Sequence, residues 1–272
     1  MLACGTAYQP LEIRREIQLF PSSTRPARVD TDVGEGFIKG TTNPQGVHCL
    51  VSELIAAELG VWMGLAIPPF AVVQNCDIDI QMMDHGGLID APMFFSRAID
   101  GTPRDTGTTF LKRLQKPEDV AKLVVFDTWI RNNDRFVDGN PNSDNLLYSE
   151  VTKGRKYSLV PIDHSHCFVD IGFDTDLPDL SLIEDETVYG LYPEFESFMI
   201  PRYVAAATTH LSSLNRSFVE ECVNSVPSEW NMSAGSRANT VEFICARAEY
   251  VVNTISKKIV DAPELPGIDK HE

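Results

Sequence analysis

The spacing of apolar residues divides this chain into a strand-rich first third and a helix-rich remainder. Short apolar runs bounded by turn residues predict strands over residues 13–20 and 27–33, separated by Pro21, Ser22, Ser23, Thr24, Arg25 and Pro26. Gly34-Glu35-Gly36 then turns into a third strand, Phe37-Ile38-Lys39. After Asn43-Pro44-Gln45-Gly46, the positions of Val47, Leu50, Val51, Leu54, Ile55 and Leu59 give the 3/4 spacing of a helix over residues 47–63 with one apolar face. Runs at 70–73, 79–83 and 93–98 predict further strands. Residues 100–109, rich in Gly, Thr, Pro and Asp, read as a linker.

The helical part begins at Pro117, which is preorganised for a first turn whose dipole Glu118 and Asp119 complement, and this helix is expected to run to about residue 132. Residues 145–148 and 157–162 predict two strands joined by a polar turn at Lys153-Gly154-Arg155. Residues 174–186 are acidic and weakly periodic, as in an exposed loop, and Ser181, Thr187 and Tyr189 offer modification sites in or beside it. Three helices are expected from residue 194 onward. The last spans 238–260, with Val241, Ile244, Ala248, Val251, Ile255 and Ile259 on one face and Lys257 and Lys258 favouring its C-terminal dipole; residues 261–272 form a loose tail.

Composition narrows the function classes. With 272 residues and 43% hydrophobic content the chain can bury a substantial core, which excludes disorder and coiled coil. Its net charge of −16 would repel a phosphate backbone, and no Lys/Arg run offsets that average, so nucleic-acid binding is disfavoured. No apolar stretch approaches the length of a membrane span, and the first residues lack the features of a signal peptide. A cytoplasmic protein is expected. The six cysteines lack CxxC spacing and read as reduced, mostly buried thiols.

Charged or amide side chains interrupt apolar context at three places: Lys39 at a strand end, Asn132-Asn133-Asp134-Arg135 after a helix, and Asp163 after Leu159-Val160-Pro161-Ile162. A carboxylate that follows such a run must bind something or bear a desolvation cost. Asp163 and Asn145, on adjacent strands, offer hard oxygen ligands suited to magnesium. Glu53 lies near the buried stripe of its helix, where it wants a cation that Lys39 can supply; a lysine held by a glutamate is how phosphoryl-transfer sites grip nucleotide phosphates. Asp134 beside Arg135 also reads as a surface ion pair. Asp127, on the apolar stripe of its helix, reads as a structural residue near Asp134. His164, His166 and Cys167 match no common zinc spacing and read as structural.

Taken together, Phe37-Ile38-Lys39, Leu50-Val51-Ser52-Glu53, Gly64-Leu65-Ala66-Ile67-Pro68, the run from Phe126 through Asn133-Asp134-Arg135, Asn145-Leu146-Leu147 and Ile162-Asp163-His164 resemble the protein-kinase-like fold, and most closely the HipA-like kinase family. The resemblance implies an α+β, two-lobed architecture: a β-rich N-lobe over residues 1–99 and a mostly helical C-lobe over 100–272, with ATP and magnesium between them. It implies that Lys39 holds the α/β-phosphates and pairs with Glu53, that Asp134 is the catalytic aspartate, and that Asn145 and Asp163 hold Mg2+. Ser22, Ser23 and Thr24 would cover the phosphates, where typical protein kinases carry glycines. Residues 94–98, including Phe95, Ser96 and Arg97, would form the hinge that receives adenine.

Asn133-Asp134-Arg135 replaces the usual His-Arg-Asp, and ten residues separate Asp134 from Asn145 against four in the ordinary catalytic loop. Residues 136–143 therefore read as an insertion, whose Asn140 or Asn142 competes with Asn145 for the metal. The implied activity is transfer of the ATP γ-phosphate to a Ser/Thr hydroxyl of a protein substrate. The alternatives are a nucleotide-binding pseudokinase that acts as an interaction module, or a related enzyme that acts on a small molecule or transfers AMP. Family analogy alone adds an antitoxin-like protein partner; charge and hydropathy predict no direct nucleic-acid partner and no membrane.

Overall fold

The computed structural model describes residues 1–74, 92–104, 107–137, 140–141, 145–168 and 178–260. The strand expected over 79–83, Asn142 and the 261–272 tail lie outside them. Strands β1 (Ile13–Leu19), β2 (Ala27–Thr31) and β3 (Gly34–Lys39) form an antiparallel meander, and β4 (Phe70–Val73) and β5 (Met93–Arg97) complete a five-stranded sheet in the order β1-β2-β3-β5-β4. Strand β2 stops two residues short of the expected end. Asp32 and Val33 form the tight turn instead, which the Thr31 hydroxyl fastens by accepting from the Val33 amide at 3.2 Å.

Helix α1 (His48–Trp62) crosses between β3 and β4. The one-faced amphipathic helix expected there is corrected: every residue from Cys49 to Gly60 is buried. A helix buried all round must satisfy its polar members internally. Ser52 donates to the Cys167 carbonyl at 3.1 Å, and Glu58 accepts from the Ala3 and Cys4 amides at 2.7 and 2.8 Å. At its end Gly64 adopts φ +76°, a conformation that side-chain-bearing residues resist, and the Leu65 amide then reaches back to the Gly60 carbonyl at 3.0 Å.

In the C-terminal part β6 (Thr102–Pro103) pairs on β9, so the segment expected to be a linker is tied into a sheet. Helix α2 (Glu118–Ile130) follows, then the short hairpin β7 (Phe136–Val137) and β8 (Asn140–Pro141), which falls within the expected insertion. Strands β9 (Leu146–Thr152) and β10 (Lys156–Pro161) form the second hairpin, in a sheet ordered β10-β9-β6. A 3-10 turn over Leu180–Glu184 gives local structure to part of the expected acidic loop. Helices α3 (Pro201–Ser212), α4 (Arg216–Asn224) and α5 (Ala234–Ile259) are the last helices among the described residues.

One large apolar core runs through α1, α2 and the three C-terminal helices, joined by contacts such as the Trp129 indole N–H to the Ile244 carbonyl at 2.9 Å. A smaller cluster covers the opposite face of the five-stranded sheet, where Ile38, Ala71 and Phe95 pack with Tyr8. Side chains alternate across a strand, so Phe94 and Phe95 serve different cores. The described cysteines are free. Among the described residues no helix is long and apolar enough to cross a membrane.

Candidate active site

A cavity of ≈ 570 Å³ opens between the five-stranded sheet and the β9–β10 hairpin. Apolar side chains from both sides, including Phe37, Phe70, Phe94, Leu147 and Ile162, form its walls, while Lys39, Glu53, Asn145 and Asp163 gather its polar groups. Few convergent polar groups in an apolar cleft are the ordinary makeup of a ligand site.

Lys39 is the last residue of β3, and Glu53 lies in the buried first half of α1. Their side chains meet with Nζ to Oε1 at 2.5 Å, and the same Nζ reaches Asp163 Oδ1 at 2.7 Å. Asp163 is placed by a left-handed backbone, φ +54°, directly after β10, a conformation aspartate tolerates better than most residues. Its Oδ1 also accepts from the Ser165 hydroxyl at 2.5 Å, and Glu53 Oε2 accepts from the His164 amide at 3.0 Å.

The charge balance follows from this geometry. Burial alone would lower the Lys39 ammonium, but Asp163 and Glu53 together hold its pKa above the usual lysine range. Burial likewise works against the Asp163 carboxylate, yet Lys39 and Ser165 keep its pKa well below the ordinary value. One ammonium serves two carboxylates. Glu53, the deeper of the two, is pushed up to about 7, chiefly by burial and further by Asp163, despite Lys39.

Below the triad, a turn carries Asp134 off the end of α2. Asn145 donates from Nδ2 to Asp134 Oδ2 at 2.7 Å, and the Asp134 amide donates to Asn132 Oδ1 at 3.2 Å. Arg135 does not pair with Asp134 at the surface, which corrects the surface-pair expectation. It is buried, donates from Nε to Asp127 Oδ2 at 3.1 Å, and spends its other nitrogens on the Asn145 carbonyl, the Ile162 carbonyl at 3.1 Å and His164 Nε2 at 3.2 Å. Arg135 and Asn132 thus join the three segments that carry Asp134, Asn145 and Asp163. The available sequence signal was Asp127, a carboxylate in an apolar stripe eight residues before an arginine. Asp127 has the structural role expected of it, with Arg135 and the Asn132 amide nitrogen, at 3.0 Å, as its side-chain partners.

The remaining candidate residues divide. Ser22, Ser96 and Arg97 border the cavity, although the Arg97 guanidinium stacks over the Tyr8 ring at 4.6 Å. Ser23 is exposed and does not line it. Thr24 is buried outside the cavity wall, and its hydroxyl has no hydrogen-bond partner among the described residues. Phe95 is the clearest departure: its ring lies in the core on the far side of the sheet, because the residue that faces the cleft is Phe94. His164 lines the cleft, and burial together with Arg135 keeps its imidazole neutral, its pKa well below the usual histidine value. Among the described residues no three His, Cys, Asp or Glu converge as a metal cage.

The model of the HipA-like kinase family matches residues 22–259. Among solved structures, the chain is similar to that of the Helicobacter pylori proinflammatory kinase CtkA, with a TM-score of 0.57 and 11% identity over 92% of this chain and 96% of that one. That likeness concerns the fold: a sheet-rich N-terminal lobe against a helical C-terminal lobe. No curated protein sequence matches the chain. With a family match that spans both lobes and takes in every residue of the Lys39, Glu53, Asp134, Asn145 and Asp163 constellation, the chain belongs to the HipA-like kinase family.

Proposed function

We propose that the protein is an ATP- and magnesium-dependent kinase that transfers the γ-phosphoryl group to a serine or threonine hydroxyl of a protein. The observation that carries this reading is the Lys39–Glu53–Asp163 triad, its Lys39–Glu53 pair buried, set in an apolar cleft next to the Asp134–Asn145 pair. Lys39, held by Glu53, grips the nucleotide phosphates. The apolar walls take the base, with Phe94 and Ser96 rather than the Phe95 ring on the cleft side of β5.

The donor set fits a divalent cation. Asp163 stays ionised beside Lys39, and with Asn145 it supplies hard oxygen donors. Magnesium leans on substrate phosphates and needs only one or two protein carboxylates. Bound by Asp163 and Asn145, it would neutralise charge on the transferring group. Asp134 orients the acceptor hydroxyl and receives its proton, while Asn145 fixes that carboxylate through the 2.7 Å bond. The strongly acidic chain is complemented by a basic acceptor surface.

The test is incubation with labelled ATP, magnesium and basic protein substrates, alongside Asp134→Asn and Asp163→Asn. Labelled phosphoserine or phosphothreonine formed by the wild type and lost in both variants is the expected result. Transfer of AMP, labelling of a small molecule alone, or ATP binding without turnover would each overturn the reading.

A further inference from the structure

Arg131 lies three residues before Asp134 and closes α2 with φ +50°, the left-handed conformation that turns the chain into the Asp134 loop. Its side chain is only 4% exposed, and its Nε donates to Asp185 Oδ2 at 2.7 Å. Asp185 is an organised acceptor. The Tyr189 hydroxyl donates to the same oxygen at 2.7 Å, and the Thr187 amide donates to Oδ1 at 3.0 Å.

The segment around Asp185 is fastened from a second side. Arg247 of α5, whose side chain is wholly buried, donates to the carbonyls of Leu182, Ile183 and Asp185 at 3.1, 2.9 and 3.1 Å, and to that of Thr128 in α2 at 2.8 Å. The Tyr189 amide donates to the Thr128 hydroxyl at 3.1 Å, and the Gly190 amide to the Phe136 carbonyl at 2.9 Å. Residues 182–190 are thereby locked to both ends of the Asp134 loop.

In many kinases such a segment becomes ordered only when a phosphate is added and pairs with an arginine. Here a carboxylate already occupies the arginine. We propose that Asp185 is a resident anion that, through Arg131, positions the Asp134 loop, so that the phosphotransfer inferred above needs no phosphorylation of Ser181, Thr187 or Tyr189. This rests on the kinase reading for its catalytic consequence. Asp185 is a positioning residue, because it touches Arg131 and not the reacting atoms.

The experiment compares phosphatase-treated wild type with Asp185→Asn and Asp185→Glu by steady-state kinetics and by hydrogen exchange of the amides over residues 131–135. The unphosphorylated wild type is expected to turn over without a lag. Asp185→Asn is expected to lose about tenfold or more in kcat with KM for ATP within about twofold, because a small misplacement of a catalytic group is costly while the nucleotide cleft is untouched. The 131–135 amides should exchange faster, and Asp185→Glu should recover part of both changes. A merely stabilising ion pair would lower the melting temperature and leave kcat per folded molecule unchanged; that outcome, or activity that appears only after phosphorylation of the segment, overturns the proposal. If Asp185→Asn fails to fold, Tyr189→Phe, which removes one hydrogen bond from the same oxygen, decides by the same exchange readout. If the wild type consumes no ATP, the kinase reading fails on its own, and exchange over 131–135 still decides whether Asp185 holds the loop.

Discussion

Asp127 and Arg135 meet at 3.1 Å with neither side chain exposed, and the Arg135 guanidinium extends from that contact to the backbone of the segments that carry Asn145 and Asp163. Burial raises the Asp127 carboxyl above its usual value even against Arg135, so the pair is held by geometry rather than by cheap solvation. A buried pair broken from one side leaves an uncompensated charge.

Arg135→Met should therefore cost about 3–5 kcal/mol of stability. Urea unfolding monitored by tryptophan fluorescence checks this. A loss below about 1 kcal/mol would mean that Asp127 finds solvent or another donor.

Gly190→Ala should disturb the same pair from outside. Gly190 has φ +74°, and a Cβ there would sit 2.6 Å from Asp127 Oδ2. Left-handed strain and displacement of the carboxylate combine to a loss of about 1–3 kcal/mol. Comparison of Gly190→Ala in the wild type and in an Asp127→Asn background tests the coupling, since independent effects would simply add.

Lys39→Met should remove the cation that both Glu53 and Asp163 face. Turnover is expected to fall by about 10²-fold or more, because a preorganised charge aimed at the phosphates is lost. ATP consumption measured against a catalytically intact Arg216→Ala control, a substitution at an exposed residue of α4, reads this directly. Turnover within about threefold of the control contradicts the role given to Lys39.

In the protein free of nucleotide and magnesium, Glu53 sets a pH dependence whose sign is fixed by its raised pKa. The folded state holds this proton up to about 7 whereas the unfolded chain releases it near 4.5, so stability falls as pH rises between them. Asp163 acts in the opposite sense, since its depressed pKa makes its contribution complete above about 3.8 and lost as pH falls below that value. The difference between wild-type and Glu53→Gln stability curves from pH 4 to 8 isolates the first effect. A flat difference would show that the fold leaves the Glu53 pKa at its unfolded value.

Phe95→Leu should lower stability by about 1 kcal/mol and leave the KM for ATP within about twofold, because the ring packs with Ile38, Ala71 and Tyr8 away from the cleft. Ser96→Trp should have the opposite profile, with ATP binding blocked. Isothermal titration of both variants separates the two faces of β5.

Local chemistry alone determined the order of elements and most of the site. Asp163 at the end of an apolar run, Glu53 near the apolar stripe of its helix and Lys39 at a strand end are each costly unless partnered; their types pointed Glu53 to Lys39 and Asp163 to a cation, whereas the direct Lys39–Asp163 contact at 2.7 Å came only from the fold. The helix that ends near Lys257 and Lys258 was legible for the same kind of reason: of the residues expected on its apolar face, Val241, Ile244, Ala248, Val251 and Ile255 are buried in the core.

Tertiary structure decided what depends on direction and long-range pairing. Alternation along β5 turns Phe94 to the cleft and Phe95 away, a choice set by the register with β3 and β4, where Phe95 pairs with Ile38 and Ala71. The partner of Arg135 is one turn-and-a-loop upstream instead of next door, because the left-handed turn at Arg131 points that guanidinium back into the core. Arg131 itself meets Asp185 across 54 residues, a contact that no local pattern encodes. Sequence fixes which groups need partners; only the packed fold decides which partner each one reaches, since burial removes water as the alternative.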